Sequence, residues 1–155
     1  MREWCKQDPK ERNSILRQWD KEANGDLRPQ DISFGSSKKV SWICDKGSDH
    51  KWDACLQKRT KSLQSCPFCA GKRPSKGHNL KAKHPKLAKQ WHPTKNGDLK
   101  PRDVLPGTAT KHWWQCSEGH EWKTQVNLRI KTTDGERVYT GCPSCVKYGF
   151  DSNQP

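Results

Sequence analysis

The chain carries one unit written twice, and this duplication constrains the fold more than any other feature. Residues 16–69 realign onto residues 87–145. Trp19 and Trp91 stand 72 positions apart, as do Asn24-Gly25-Asp26-Leu27 and Asn96-Gly97-Asp98-Leu99, Lys39 and Lys111, Trp42 and Trp114, and Cys44 and Cys116. The offset becomes 70 for His50/His120, Trp52/Trp122 and Arg59/Arg129, then 76 for Cys66-Pro67/Cys142-Pro143 and Cys69/Cys145. Two small indels account for both changes. Each copy spans only about 55–60 residues, a size at which burial of apolar surface leaves little net stability.

Composition sharpens that problem. Only 30 % of the 155 residues are hydrophobic, another 30 % are charged, and the mean hydropathy is −1.19. A unit this polar needs a second source of folding free energy, and the eight cysteines and eight tryptophans are the available material. No run approaches the ~18 apolar residues of a membrane span. The start, Met1-Arg2-Glu3-Trp4-Cys5-Lys6, lacks the apolar stretch of a secretory leader, so an intracellular location is expected. Thiols and metal ligands are then expected rather than disulfides. The final Tyr148-Gly149-Phe150-Asp151-Ser152-Asn153-Gln154-Pro155 stops without a terminating element and reads as part of a longer protein.

The expected organisation is a module at residues 12–70, a basic Gly/Pro-marked linker at 71–83, a second module at 84–147 and a tail at 148–155. Ser14 is placed to cap a short helix over Ile15–Trp19, and Pro85–Trp91 mirrors it. In the second copy Trp122, Thr124, Val126, Leu128 and Ile130 alternate with polar residues, which predicts one half-buried strand. Asp134-Gly135 then predicts a turn, with Val138-Tyr139 as the return strand. The first copy repeats this weakly, with Trp52, Ala54 and Leu56 inward and Asp53, Gln57 and Arg59 outward.

Each copy holds a Cys followed closely by a His and then a Cys-Pro-x-Cys: Cys44, His50, Cys66 and Cys69, and again Cys116, His120, Cys142 and Cys145. Zinc takes four such donors in a tetrahedron, and two ligand pairs on tight turns supply them with little chain. Metal binding would add on the order of 10 kcal/mol of folding free energy per site. Three recurring cysteines pair badly as disulfides but suit a three-thiolate, one-imidazole set. Two structural zinc ions are therefore expected. Cys5 and Cys55 do not recur and read as incidental thiols. Nor do His78, His84, His92 and His112, which are expected at the surface or, at most, against phosphate.

Six tryptophans recur and are expected as the small core, whereas Trp4 and Trp113 do not and are expected to be exposed. Thirty Lys/Arg against 17 Asp/Glu give a net charge of +13, a field that attracts polyanions. Two zinc-filled sites, each with three thiolates, would leave it near +11. The residues expected to contact phosphate are Lys39, Arg59, Lys72, Arg73, Lys111, Lys123, Arg129 and Lys131. Arg59 and Arg129 recur, and strand alternation puts Lys123, Arg129 and Lys131 on the face away from tryptophan.

On Trp19-Asp20, Asn24, Pro29, Gly35, Lys39, Trp42-Ile43-Cys44, His50-Lys51-Trp52, Arg59 and Cys66-Pro67-Phe68-Cys69, with their second-copy partners, the sequence resembles a known family. These are the zinc-ribbon, or treble-clef-related, modules found in tandem in bacterial, phage and large-virus proteins. Two features depart from the pattern: the stretched Gly47-Ser48-Asp49-His50, and His92 where the first copy has Asp20. The resemblance covers about four fifths of the chain. It implies a small, metal-stabilised, β-rich fold of two modules, each with a short N-terminal helix and a zinc-carrying β-hairpin. It also implies nucleic-acid targeting, often beside an endonuclease domain.

The expected function is nucleic-acid binding, DNA favoured, as a targeting part of a larger nuclease or DNA-processing system, with no catalytic residues in this chain. The alternatives are a metal-dependent endonuclease in its own right and a zinc-dependent protein-interaction adaptor. The first is opposed by sites whose four positions all hold protein ligands, since a catalytic zinc keeps one open.

Overall fold

The computed structural model describes residues 14–33, 35–60, 65–133 and 136–148. Trp4, Cys5, the expected turn at Asp134-Gly135 and most of the expected tail lie outside them. The chain divides into two units, Met1–Lys72 and Arg73–Pro155, each with its own core. Among the described residues no helix is long and apolar enough to cross a membrane.

In the first unit a helical turn, α1 (residues 14–17), leads to Trp19 and then α2 (Lys21–Asn24). Ser14 lies inside α1 instead of capping it. A 3-10 turn at Pro29–Asp31 follows, with Asp31 Oδ2 accepting the Arg28 N–H at 3.1 Å. The hairpin comes next: β1 (Lys39–Ile43) pairs antiparallel with β2 (Lys51–Cys55), Trp42 opposite Trp52. β2 passes directly into α3 (Leu56–Thr60).

The second unit repeats the 3-10 turn and the hairpin; its helix at Pro85–Lys89 matches α1, and a turn at 93–98 stands where the first unit has α2. It runs α4 (Leu80–Lys83), α5 (Pro85–Lys89), a 3-10 turn at Pro101–Asp103, and the hairpin β3 (Lys111–Gln115)/β4 (Glu121–Gln125), with Trp114 opposite Trp122. It then adds a 3-10 turn at Asn127–Arg129, a second hairpin, β5 (Ile130–Thr133)/β6 (Glu136–Tyr139), and α6 (Pro143–Lys147).

The short helices are held less by their own hydrogen bonds than by the hairpins they lean on, as expected below about 12 residues. The segment around Trp19 lies along β1 as a third edge: Ile43 N–H donates to Gln18 O at 2.8 Å, and Asp20 N–H to Ser41 O at 3.2 Å. Gln115 N–H to Gln90 O and His92 N–H to Trp113 O repeat both bonds at 2.8 and 3.1 Å. Where that edge ends, an asparagine side chain extends it. Asn24 Nδ2 donates to Ser41 O and its Oδ1 accepts the Ser41 N–H. Asn96 does the same to Trp113, both bonds at 2.9 Å. This is why Asn recurs ahead of Gly-Asp-Leu.

Each core is a tryptophan pair with aliphatic infill. Trp19 meets Trp42 edge-on at 5.6 Å and Trp91 meets Trp114 at 5.3 Å; Leu56 and Val126 fill equivalent positions and are fully buried. The indole N–H groups of Trp42 and Trp114 are satisfied across the hairpin by Ala54 O and Thr124 O.

Two expectations need correction. The nine-residue alternating strand is interrupted: β4 ends at Gln125, Val126 takes the right-handed helical conformation (φ −64°, ψ −46°), and Leu128 is 56 % exposed. The stretch at 71–83 holds the boundary between the units, but its later part, 75–83, is folded. Ser75 and His78 exchange backbone bonds, buried Asn79 caps α4 by accepting the Ala82 N–H at 2.8 Å, and Leu80 is fully buried in the second core. The basic residues masked a single well-placed leucine.

Candidate metal centres

β1 delivers Cys44 and β2 receives His50, and the loop between them closes when Cys44 N–H donates to His50 O at 3.0 Å. The second unit closes the same way, Cys116 N–H to His120 O at 3.1 Å. The shorter loop of the second copy needs Gly119 at φ 79°, where a side chain would be strained. In the longer first loop Gly47 is required for another reason: a Cβ there would lie 2.9 Å from the His50 ring.

Cys66 stands just before the turn that begins at residue 67, and Cys69 lies within it. Cys142 and Cys145 come from the start of α6, with Pro143 in its first turn. The expectation of two ligand pairs on tight turns is refined here, because in the second unit the second pair sits on a helix start that follows its own hairpin.

Each set of four is gathered with all ligand atoms within 4.8 Å of one another. In the first, Cys44 Sγ is 3.7 Å from Cys69 Sγ, and His50 Nδ1 is 3.5 and 3.8 Å from the sulfurs of Cys69 and Cys66. In the second, Cys116 Sγ is 3.8 Å from Cys145 Sγ, with His120 Nδ1 3.6 and 3.4 Å from those two sulfurs. A zinc ion with Zn–S near 2.3 Å and Zn–N near 2.0–2.1 Å makes tetrahedron edges of about 3.5–3.8 Å. The donors match that figure. The sulfur pairs are also far beyond the ~2.05 Å of a disulfide, and all six are free thiols.

Electrostatics agree. Burial, with neighbouring sulfurs, pushes the Cys44 thiol up to about 12, and the same causes push Cys145 to about 12. Cys142 sits below its ordinary value: burial works against this, but the N–H groups of Cys145 and Ser144 stabilise its thiolate. Cys44 and Cys145 hold their protons in the absence of a dication, and metal binding would release them. Both sets fit zinc, and two structural zinc ions are assigned to them. Four protein donors in each set are the ligand count of a structural site, where a bound ion would stiffen the fold.

A zinc with three thiolates and one imidazole carries one net negative charge, and the structure answers it with a buried cation. Arg59 (4 % exposed) and Arg129 (1 %) each lie between two tryptophans. The Arg59 guanidinium is 5.1 and 5.2 Å from Trp42 and Trp52; that of Arg129 is 4.7 and 4.9 Å from Trp114 and Trp122. Arg59 Nη2 donates to Gln18 Oε1 at 2.5 Å, and Arg129 Nη2 to Gln90 Oε1 at 2.6 Å. Arg129 Nε also donates to Thr140 O. Burial lowers both arginines, Arg129 to about 10, while the charge of Cys66 and Cys44 on one side and Cys142 on the other works to retain the proton. Arg129 Nη1 is buried with no hydrogen-bond partner, the kind of group an anionic centre nearby compensates.

Arg59 and Arg129 are therefore removed from the expected phosphate contacts. The alternation that assigned them outward fails because the chain coils after β2 and β4, and a helical i, i+3 step puts Leu56 with Arg59, and Val126 with Arg129, on the buried side. The partners Gln18 and Gln90 were missed, although they too stand 72 apart. The other six expected cations, Lys39, Lys72, Arg73, Lys111, Lys123 and Lys131, are exposed.

The non-recurring histidines are structural, against expectation in three of four cases. His84 is buried with Nδ1 3.1 Å from the Tyr139 hydroxyl, and His112 packs on Trp91 at 4.8 Å. His92 accepts the N–H groups of Thr94 and Lys95 on Nδ1, and its Nε2 lies 2.6 Å from Glu121 Oε1. Its equivalent, Asp20, caps α2 through the Ala23 N–H and lies 3.5 Å from Lys51. The second copy has exchanged acid and base across the same pair of positions, 20/92 and 51/121, which explains the departure at His92. His78 alone is partly exposed. Cys55 is partly buried outside the ligand sets, and Trp113 is half-buried under the ammonium groups of Lys95 and Lys123.

A family model described as a probable treble clef zinc finger domain matches the chain twice, at residues 15–72 and 87–148. No curated protein matches it.

Proposed function

We propose that this chain, which belongs to the probable treble clef zinc finger family through both of its units, binds nucleic acid, DNA favoured, and contains no catalytic centre of its own. The observation that carries this reading is the separation of roles among its cations. Two arginines are buried beside the thiolates, while the remaining expected contacts face solvent on a chain of net charge +13. Exposed cations in that excess gain affinity by releasing counterions from a phosphate backbone. Two units on one chain add avidity without new contacts.

The reading extends to a role as the targeting part of a larger nuclease or DNA-processing system, which would supply the chemistry. A metal-dependent endonuclease within this chain is disfavoured because each set provides four ligands. The adaptor reading predicts no polyanion dependence.

The test is a salt titration of binding to duplex DNA by zinc-loaded protein. With about six phosphates neutralised, log K falls against log salt with a slope near −5. A flat dependence, or affinity unchanged after a chelator has removed both ions, overturns the proposal.

A further inference from the structure

The second unit has a cleft of about 530 Å³ between α5 and the 3-10 turn Pro101–Asp103. Its rim carries Lys81, Lys89, Lys100 and Arg102 around an apolar floor that includes Pro85 and Pro101. All four cations are exposed, and no carboxylate lines the cleft. Asp103, next along the turn, has one oxygen accepting the Lys100 N–H and the other at 3.9 Å from Arg102 Nε. Among the described residues no carboxylate pairs with Lys81, Lys89 or Lys100.

We propose that this cleft, rather than the outer face of the hairpin, is the principal seat of the nucleic-acid phosphodiester backbone on the second unit. The inference rests on the nucleic-acid reading above and assigns it a surface.

Three observations favour the cleft. First, the hairpin faces carry acid. Glu121 on β4 bonds His92 and Lys95, and Asp53 on β2 accepts the Ser41 hydroxyl at 2.6 Å. A phosphate approaching there meets a carboxylate. Second, Lys123 on the hairpin lies over the Trp113 ring at 5.9 Å, so part of its charge already has a partner. Third, the duplication repeats two of the cleft's four charges. Lys89 and Lys100 correspond to Arg17 and Arg28, both exposed and both basic. At both positions the charge is kept while the residue changes between Arg and Lys, as a phosphate ligand common to both units would require. The chemistry suits a sugar-phosphate chain: ammonium and guanidinium groups take the phosphate oxygens, and proline rings cover the apolar face of a sugar.

The experiment compares two sets of substitutions in the zinc-loaded full chain, with zinc content and melting temperature as checks of folding. The cleft set is Lys81→Gln, Lys89→Gln and Lys100→Gln. The hairpin set is Lys39→Gln, Lys111→Gln, Lys123→Gln and Lys131→Gln. The probe is a fluorescently labelled DNA duplex of mixed sequence.

The cleft set is expected to weaken binding tenfold or more and to make the salt slope shallower by about 2–3. The hairpin set, although it removes more charge, should cost less. If the hairpin set costs more, or loss simply follows the number of charges removed, the cleft assignment is overturned while nucleic-acid binding stands. If the unaltered protein shows no salt-dependent binding, the parent reading falls and the assignment with it.

Discussion

At the scale of single residues, the informative pair is Arg59 and Arg129. An arginine normally keeps its charged head in water, and each of these gives that up for two indole faces, a glutamine oxygen and the neighbourhood of thiolates. Lysine is a compact, strongly hydrated charge without the planar fork, so it cannot span the same partners. Arg129→Lys is expected to destabilise the zinc-loaded second unit by about 2–3 kcal/mol, since a charge-assisted hydrogen bond and two ring contacts are lost inside the protein. Urea unfolding of the holo protein measures this, and unchanged stability would show that the sandwich is only filler. The exchange of Asp20/Lys51 for His92/Glu121 makes a related point. The pair position needs one acid and one base, but either order serves.

At the scale of elements, hairpins and helices depend on each other because none is long enough to persist alone. The asparagine at the end of the added edge makes this concrete. Asn96 gives β3 a donor and an acceptor in backbone register with Trp113, and a strand edge left without them is partly desolvated and unpaired. Asn96→Ala should cost about 1–3 kcal/mol, and Asn96→Asp, which keeps only the acceptor, should recover part of it. Thermal melting of the three proteins gives the answer; equal melting temperatures would leave the clamp without energetic weight.

On the scale of the whole molecule, the two units share a plan but not a pH response. His112 occupies the position of Val40, and its imidazole is held below its ordinary value of 6.5 by burial and by Lys123. The folded second unit therefore disfavours the imidazolium, whereas the unfolded chain takes the proton near 6.5. Above that pH both states are neutral and the residue has no effect on pH dependence. Below it, the unfolded state binds more protons and the second unit loses stability progressively. His112→Val should flatten the acid side of its melting profile. Protonation of the thiolates affects both proteins alike, so the difference between their profiles isolates the histidine. If the profiles superimpose between pH 5 and pH 6.5, burial of His112 carries no proton linkage.

How far each of these features could be read in advance depends on the distance over which its cause acts. The ligands, their grouping by copy and the recurring tryptophans were legible in the chain because a duplicated sequence displays its own constraints, whereas the strand pairing was not: the strand expected to return to Val138-Tyr139 ends at Gln125 and pairs with β3. A position that recurs while its neighbours drift is held by something common to both copies. The recurrence of Arg59 and Arg129 was equally visible, but its meaning was not. Whether a repeated cation faces phosphate or sits beside a metal centre depends on a coil of the backbone after β2 and β4 that the alternating pattern hid. The folded state of residues 75–83, the buried roles of His84, His92 and His112, and the basic cleft likewise arise from contacts between segments far apart in sequence. Local chemistry determined what the two centres are made of. Only the tertiary arrangement decided which charges were spent on holding them and which were left facing water, because solvation of a side chain is a property of everything packed around it.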